Sequence, residues 1–210
     1  MRTDTLETLT KILKTLEEEY PAASTALRFQ SPFQLLVAVM LSAQTTDKQV
    51  NQITADLFRH IKKPKDVLAL KPAELEEMIK RCGLFRQKSR QLMETCRILV
   101  KTYHGQVPKT REELITLPGI GRKSANVIIS TAFDTPAMAV DTHVMRVSRR
   151  LGLARGKTPL DVEEELCNLI PENLWTATHH RLISHGRAVC RARKPSCNTC
   201  SLASFCQYPD

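Results

Sequence analysis

Apolar residues in this 210-residue chain recur at three- and four-residue spacing and nowhere in bounded two-residue alternation, a period that confines the chain to helices. Leu6, Leu9, Ile12, Leu13 and Leu16 form one such apolar face. Ser31-Pro32-Phe33-Gln34 reads as a capping box with proline at the first helical position, and the apolar run 35–41 behind it predicts a buried central helix. Further helices are expected from near Asp47, from near Pro72, after Gly83 as far as Gly105, from the capping box Thr110-Arg111-Glu112-Glu113, and from Thr158-Pro159 to before Pro171. Aromatic residues make up only 5% of the chain, and the expected fold class is all-α. The run 35–41 is the longest unbroken apolar stretch, well short of the ~20 residues a bilayer span requires. The opening Met1-Arg2-Thr3-Asp4 has no signal-peptide pattern, so neither membrane insertion nor secretion is expected.

The formal net charge of +9 favours a polyanionic partner. Its distribution is uneven. Between residues 80 and 101, Lys80, Arg81, Arg86, Lys88, Arg90, Arg97 and Lys101 face a single acid, Glu94, and a second basic group, Arg187, Arg191, Arg193 and Lys194, surrounds Cys190. Any one of these reads as a solvated helix residue. Two concentrated patches suit a phosphate backbone, which rewards clustered cations through counterion release.

Leu117-Pro118-Gly119-Ile120-Gly121-Arg122-Lys123 lies between helical segments expected at 111–116 and 124–132. Two glycines around one apolar residue allow backbone angles that other residues resist and leave N–H groups bare at the start of the next helix, where an anion is favoured. Ile120 is placed to pin the hairpin into the core. A nucleic-acid phosphate fits such a site and conveys no sequence information. The plain alternative is a tight helix–helix turn, for which one glycine suffices. Lys123 reads first as a phosphate contact, although the helix dipole and Arg122 disfavour its charged form and so favour a nucleophilic amine. Asp141-Thr142-His143 precedes the helical pattern Val144, Val147, Leu151, so Asp141 reads as an N-cap.

Seven cysteines are present, and four of them, Cys190, Cys197, Cys200 and Cys206, crowd into C-x6-C-x2-C-x5-C. With no secretion signal a disulfide framework is disfavoured, and four thiolates this close suit either zinc or a [4Fe–4S] cluster. Cys82, Cys96 and Cys167 have no partner spacing and read as inert or core thiols.

Leu117-Pro118-Gly119-Ile120-Gly121 with Lys123, followed eighteen residues later by Asp141 within Val140-Asp141-Thr142-His143, resembles the helix-hairpin-helix, Gly/Pro-rich, catalytic-Asp DNA glycosylases. The resemblance runs nearly end to end. It takes in Leu41-Ser42-Ala43-Gln44, Gly83-Leu84-Phe85 and the terminal cysteines, and within the superfamily it is strongest to the endonuclease III family of bifunctional glycosylase/AP lyases for oxidised pyrimidines. It implies a helical bundle domain over 24–134, with the helix-hairpin-helix at about 111–132, and a second domain of 1–23 plus 135–210. It also implies one [4Fe–4S] cluster on Cys190, Cys197, Cys200 and Cys206, Lys123 as the Schiff-base nucleophile and Asp141 as the catalytic aspartate. Gln44 resembles the residue that fills the gap left by a flipped nucleotide, and Leu84 the apolar wedge on the opposite strand. Gly119, Ile120, Gly121, Arg122, His143 and the basic residues Arg187, Arg191, Arg193 and Lys194 are the further expected DNA contacts. Double-stranded DNA is the implied partner, of a monomeric, cytoplasmic and nucleoid-associated enzyme.

The monofunctional adenine-mismatch branch fits less well: it lacks a lysine at the position of Lys123, has glutamate where Ala38 stands, and adds a recognition domain beyond the cysteines, whereas this sequence ends four residues after Cys206. A non-catalytic helix-hairpin-helix module with a zinc-stapled tail explains the charge, the hairpin and the cysteines equally well. It leaves the pairing of Lys123 with Asp141 a coincidence.

Overall fold

A computed structural model of the chain describes residues 3–208; Met1 and Arg2, where the absence of a signal sequence was read, lie outside the described residues. Among those residues there are eleven α-helices, three short 3-10 turns and no strand. In chain order the helices are α1 (Thr3–Glu19), α2 (Pro32–Ser42), α3 (Asp47–His60), α4 (Pro64–Leu68), α5 (Pro72–Ile79), α6 (Phe85–Thr102), α7 (Arg111–Leu114), α8 (Arg122–Ala132), α9 (Thr142–Arg150), α10 (Pro159–Leu169) and α11 (Trp175–Ala188). The chain divides into two compact units. One is Ala26–Thr135, and the other is formed from the stretches before and after it.

The unit Ala26–Thr135 is built around α2, whose residues 33–41 are all buried, as its unbroken apolar run demands. Removing leucines such as Leu35, Leu36 and Leu41 from water contributes about 1.5–3 kcal/mol each. The Ser31 hydroxyl accepts from the Gln34 N–H at 3.2 Å. The Gln34 side chain reaches back one residue further than a capping box requires, accepting from the Gln30 N–H at 2.8 Å. Helices α3, α6 and α8 pack on α2, while α4 and α5 pack on α6. Helix α6 closes with the N–H groups of Tyr103 and Gly105 both on the Leu99 carbonyl, at 3.1 and 2.8 Å, and ends three residues before the glycine.

The other unit packs α1 through Leu9, Ile12 and Leu16 into a core with Val144, Val147, Leu166, Leu182 and Leu202, whereas Leu6 is 56% exposed. Helix α10 starts with a full capping box, Thr158 accepting from Asp161 N–H and the Asp161 carboxylate accepting from Thr158 N–H. Helices α9 and α11 approach closely at Gly186, where an added Cβ would lie 3.1 Å from His143 Cβ and from Arg146 Nη2.

Candidate functional site

The hairpin rises from α7, whose end is drawn down by the buried Leu117; the Ile120 N–H then bonds the Leu117 carbonyl at 3.1 Å. Ile120 is 5% exposed and pins the turn. Only Gly119 needs glycine for its backbone, at φ +83°, and a Cβ there would come within 2.9 Å of Gln91 Oε1 on α6. Gly121 has an ordinary extended conformation and open space around it, so its missing side chain leaves room for a ligand and relieves no strain. Helix α6 also holds the hairpin through Thr95 Oγ1, which donates to the Pro118 carbonyl at 3.1 Å.

Helix α8 begins at Arg122, two residues earlier than the sequence suggests, because the extended Gly121 already serves as its N-cap. Lys123 is therefore inside the first turn. That turn contains no acid, and no side chain caps it, whereas Ser31, Thr46, Thr110, Asp141 and Thr158 cap α2, α3, α7, α9 and α10. The N–H groups and positive dipole end of such a turn suit an anion. Lys123 is exposed, and its ammonium makes no hydrogen bond or ion pair among the described residues.

Asp141 caps α9, with Oδ1 accepting from the N–H groups of both His143 (2.8 Å) and Val144 (2.9 Å). Oδ2 has no partner among the described residues. His143 is half-buried, its Nδ1 3.2 Å from Arg146 Nη2. Arg146 in turn donates to the carbonyls of Gly186 (2.9 Å) and Cys190 (3.0 Å). These bonds fix the face of His143.

Gln44 and Leu84 stand out in the backbone. Both have left-handed φ, +54° and +57°, which costs a residue with a Cβ about 1–2 kcal/mol. Gln44 is exposed in the α2–α3 loop, and Leu84, the N-cap of α6, is 54% exposed where an isolated reading would bury a leucine. The two loops touch: a Cβ on Gly83 would lie 3.4 Å from the Gln44 carbonyl oxygen.

The four terminal cysteines line one cavity of about 330 Å³ together with Arg150, His185 and Tyr208. Arg150 organises its rim. Its Nη1 donates to Cys190 Sγ at 3.3 Å and to the Arg191 carbonyl at 2.8 Å, its carbonyl accepts from the Gln207 N–H and the Cys206 thiol, and its guanidinium lies 3.9 Å from the Tyr208 ring centroid. His185 lies between Tyr20 (Nδ1 to the hydroxyl, 3.2 Å) and Cys200 (Nε2 to Sγ, 3.7 Å). Burial pushes the His185 pKa down and, foremost among its causes, the Cys200 thiol up. Among the described residues no group of three His, Cys, Asp or Glu side chains is placed to hold a single metal ion.

Of the basic residues singled out in the sequence, Arg187, Arg191, Arg193 and Lys194 are exposed, as are Lys80, Arg81, Arg86, Arg90, Arg97 and Lys101. Lys88 is not part of that surface. It is 4% exposed, and its place on the apolar stripe shared with Leu92, Cys96 and Leu99 was the sequence signal for burial. Cys82 and Cys96 are core thiols, Cys96 pushed up to about 12 by burial, while Cys167 is half-buried.

An all-α fold carrying a buried-isoleucine hairpin ahead of a helix whose basic first turn has no side-chain cap is a helix-hairpin-helix arrangement suited to an anionic ligand. Residues 37–172 match the model of the HhH-GPD superfamily of base excision DNA repair proteins. The chain is 46% identical over 196 residues to endonuclease III of Bacillus subtilis (strain 168), covering 93% of this chain and 90% of that protein. It is 44% identical over 200 residues to endonuclease III of Escherichia coli (strain K12), covering 95% of each. A solved structure described as a trapped endonuclease III–DNA covalent intermediate superimposes with a TM-score of 0.93 at 44% identity, over 99% of this chain and 97% of that one. A thermostable thymine-DNA glycosylase shares the fold, with a TM-score of 0.85 at 24% identity over 96% of each chain. The chain belongs to the HhH-GPD superfamily and, within it, to the endonuclease III family.

Proposed function

We propose that the chain removes oxidised pyrimidines from double-stranded DNA and then cleaves the abasic site by β-elimination, with Lys123 as the nucleophile and Asp141 as the catalytic carboxylate. The observation that carries this reading is Lys123 itself, an exposed amine with no competing partner, set in the first turn of a helix whose N–H groups have no side-chain cap. A DNA phosphate at those N–H groups and at Gly119–Gly121 brings the deoxyribose to the amine. Nζ bonds to C1′ as the glycosidic C–N bond breaks, the electron pair leaving with the base. Opening of the sugar ring gives an imine between Lys123 and C1′. Loss of a C2′ proton to water leaves its electron pair to form the C2′–C3′ double bond as the C3′–O bond breaks and releases the 3′ phosphate. Water then hydrolyses the imine and returns Lys123 as the amine. Asp141, with Oδ1 held by the helix and Oδ2 open, is suited to stabilise positive charge developing on the sugar or to assist proton movement in the exchange.

Gln44 and Leu84 are the proposed insertion residues, Gln44 beside the orphaned base and Leu84 as the opposite-strand wedge. Arg122, His143, Arg187, Arg191, Arg193 and Lys194 are assigned to backbone contacts. Cys190, Cys197, Cys200 and Cys206 are the proposed ligands of a [4Fe–4S] cluster, for which the four-thiol lining and the size of the cavity speak. When bound, the cluster cross-links the terminal loop, and Arg191, Arg193 and Lys194 are then held in place. A cytoplasmic, nucleoid-associated protein follows from that substrate.

The test is strand cleavage of a duplex with one oxidised pyrimidine, in rising salt. Base release and nicking are expected together, with binding falling linearly in log affinity against log salt. Base release without nicking would contradict the lyase step, and salt-insensitive binding the phosphate-dominated interface.

A further inference from the structure

Lys88 is a buried ammonium with no acidic partner. It lies on the core face of α6, and its Nζ donates to the Leu41 carbonyl at 2.8 Å and to Thr45 Oγ1 at 3.0 Å. Those acceptors flank Gln44 on either side. The same residue's backbone N–H bonds the Leu84 carbonyl at 3.0 Å, the first intrahelical bond of α6. One residue thus grips the Gln44 loop through its side chain and Leu84 through its main chain, and both of these exposed positions have left-handed backbones, in loops that touch.

A lysine is an expensive way to fill a core position. Burial foremost lowers its pKa, with the neighbouring Cys82 thiol opposing, and its acceptors are a carbonyl and a hydroxyl, neither of which carries a countercharge. An apolar side chain of similar length would pack there without that desolvation cost. The Leu41 carbonyl belongs to the last turn of α2, where helix carbonyls lack intrahelical donors, so the ammonium satisfies an orphan acceptor and defines where the helix gives way to the loop. A charge-assisted pair of bonds is also more directional than apolar packing.

We propose that Lys88 is a positioning residue that locks the Gln44 loop to the Leu84 turn, so that the two side chains enter a duplex as one rigid pair when a nucleotide is extruded. The inference rests on the reading of Gln44 and Leu84 as insertion residues. Lys88 touches neither substrate nor reacting atoms; it sets the spacing and direction of the side chains that do.

The experiment uses the full cluster-loaded chain and a duplex containing a non-cleavable abasic analogue with 2-aminopurine opposite it. The fluorescence change is read at saturating protein, with the bound fraction fixed separately by anisotropy. Lys88→Met removes the ammonium at similar length, and Thr45→Val removes one acceptor while leaving Lys88 in place, so it decides the matter should Lys88→Met not fold. Gln44→Ala and Leu84→Ala report insertion directly. Lys88→Met is expected to lose most of the fluorescence change at full occupancy and to lower kcat/KM on an oxidised-pyrimidine duplex roughly tenfold or more, the equivalent of a lost hydrogen bond to a charged donor. Thr45→Val is expected to lie between it and wild type. Added to the double variant Gln44→Ala/Leu84→Ala, Lys88→Met should have no further effect on the fluorescence. If Gln44→Ala and Leu84→Ala abolish the signal while Lys88→Met and Thr45→Val keep it, the role of Lys88 is overturned and insertion stands. If Gln44→Ala and Leu84→Ala keep the wild-type signal, the insertion reading fails and this inference fails with it. A loss of thermal stability without a change in fluorescence at saturation would leave Lys88 a structural residue only.

Discussion

Asp141 is asked to do two things, and its two oxygens allow them to be separated. Oδ1 accepts both cap hydrogen bonds of α9, and Oδ2 is open. Asp141→Asn keeps a carbonyl oxygen that can accept from the His143 and Val144 N–H groups but loses the charge. Asp141→Ala loses both. The lost cap costs about 0.5–2 kcal/mol, and the lost interaction of a carboxylate with the helix N-terminus adds about 0.3–1 kcal/mol. Helix α9 carries the fully buried Val144 and Val147, so fraying of its first turn is transmitted to the core of its unit. Asp141→Ala should therefore be destabilised by about 1–2 kcal/mol and Asp141→Asn by less than about 1 kcal/mol. Both should lose base excision, by about 10²–10⁴ if the carboxylate handles a proton or developing charge in the transition state. Urea unfolding followed by far-UV circular dichroism, run beside single-turnover excision on the same preparations, gives both quantities. An Asp141→Asn variant with near-wild-type excision would refute the chemical role. Equal stability of Asp141→Ala and wild type would refute the cap.

Gly119→Ala should cost about 1 kcal/mol, because φ is +83° and the new Cβ must push aside the end of Gln91, which is flexible; the same variant should bind DNA more weakly, and fluorescence anisotropy with wild-type affinity would contradict the hairpin assignment. Asp161 is held below its ordinary value of 3.8, foremost by the Thr158 backbone N–H. Its contribution to stability is therefore complete above that value and lost as pH falls through the depressed one, so the difference in melting temperature between wild type and Asp161→Asn should shrink on acidification from neutral pH to about pH 2; a constant difference would show that the carboxylate is not linked to folding. Cys200→Ser should lower iron and sulfide content per chain, and full retention of both would remove Cys200 from the ligand set.

Much of this organisation was legible because helix signals are local. Ser31, Thr158 and Asp141 cap helices as their side chains suggest, and the uninterrupted apolar run of α2 is buried throughout. Helix α8 starts two residues before its sequence signal because an extended glycine can act as an N-cap without any side-chain signature. The second hairpin glycine differs from its sequence expectation for a related reason: Gly121 has an ordinary backbone, and its value lies in open space that only the folded turn creates. The charge of Lys88 groups it with the surface cations, although its helical phase puts it on the core face. Arg150 and His185 escaped notice because their contacts with Cys190 and Cys200 join residues 40 and 15 positions apart, and composition carries no record of such pairings.

The central claim is that the Lys123 amine forms the bond to the sugar. Borohydride reduction during turnover on a duplex with one abasic site tests it most directly, because an imine is reduced to a permanent protein–DNA cross-link. Wild type should yield a covalent adduct of one chain per site, and Lys123→Ala should yield none while still binding the duplex. An adduct that survives in Lys123→Ala would move the nucleophile elsewhere, and a cluster-loaded wild type that neither nicks nor cross-links would contradict the lyase mechanism altogether.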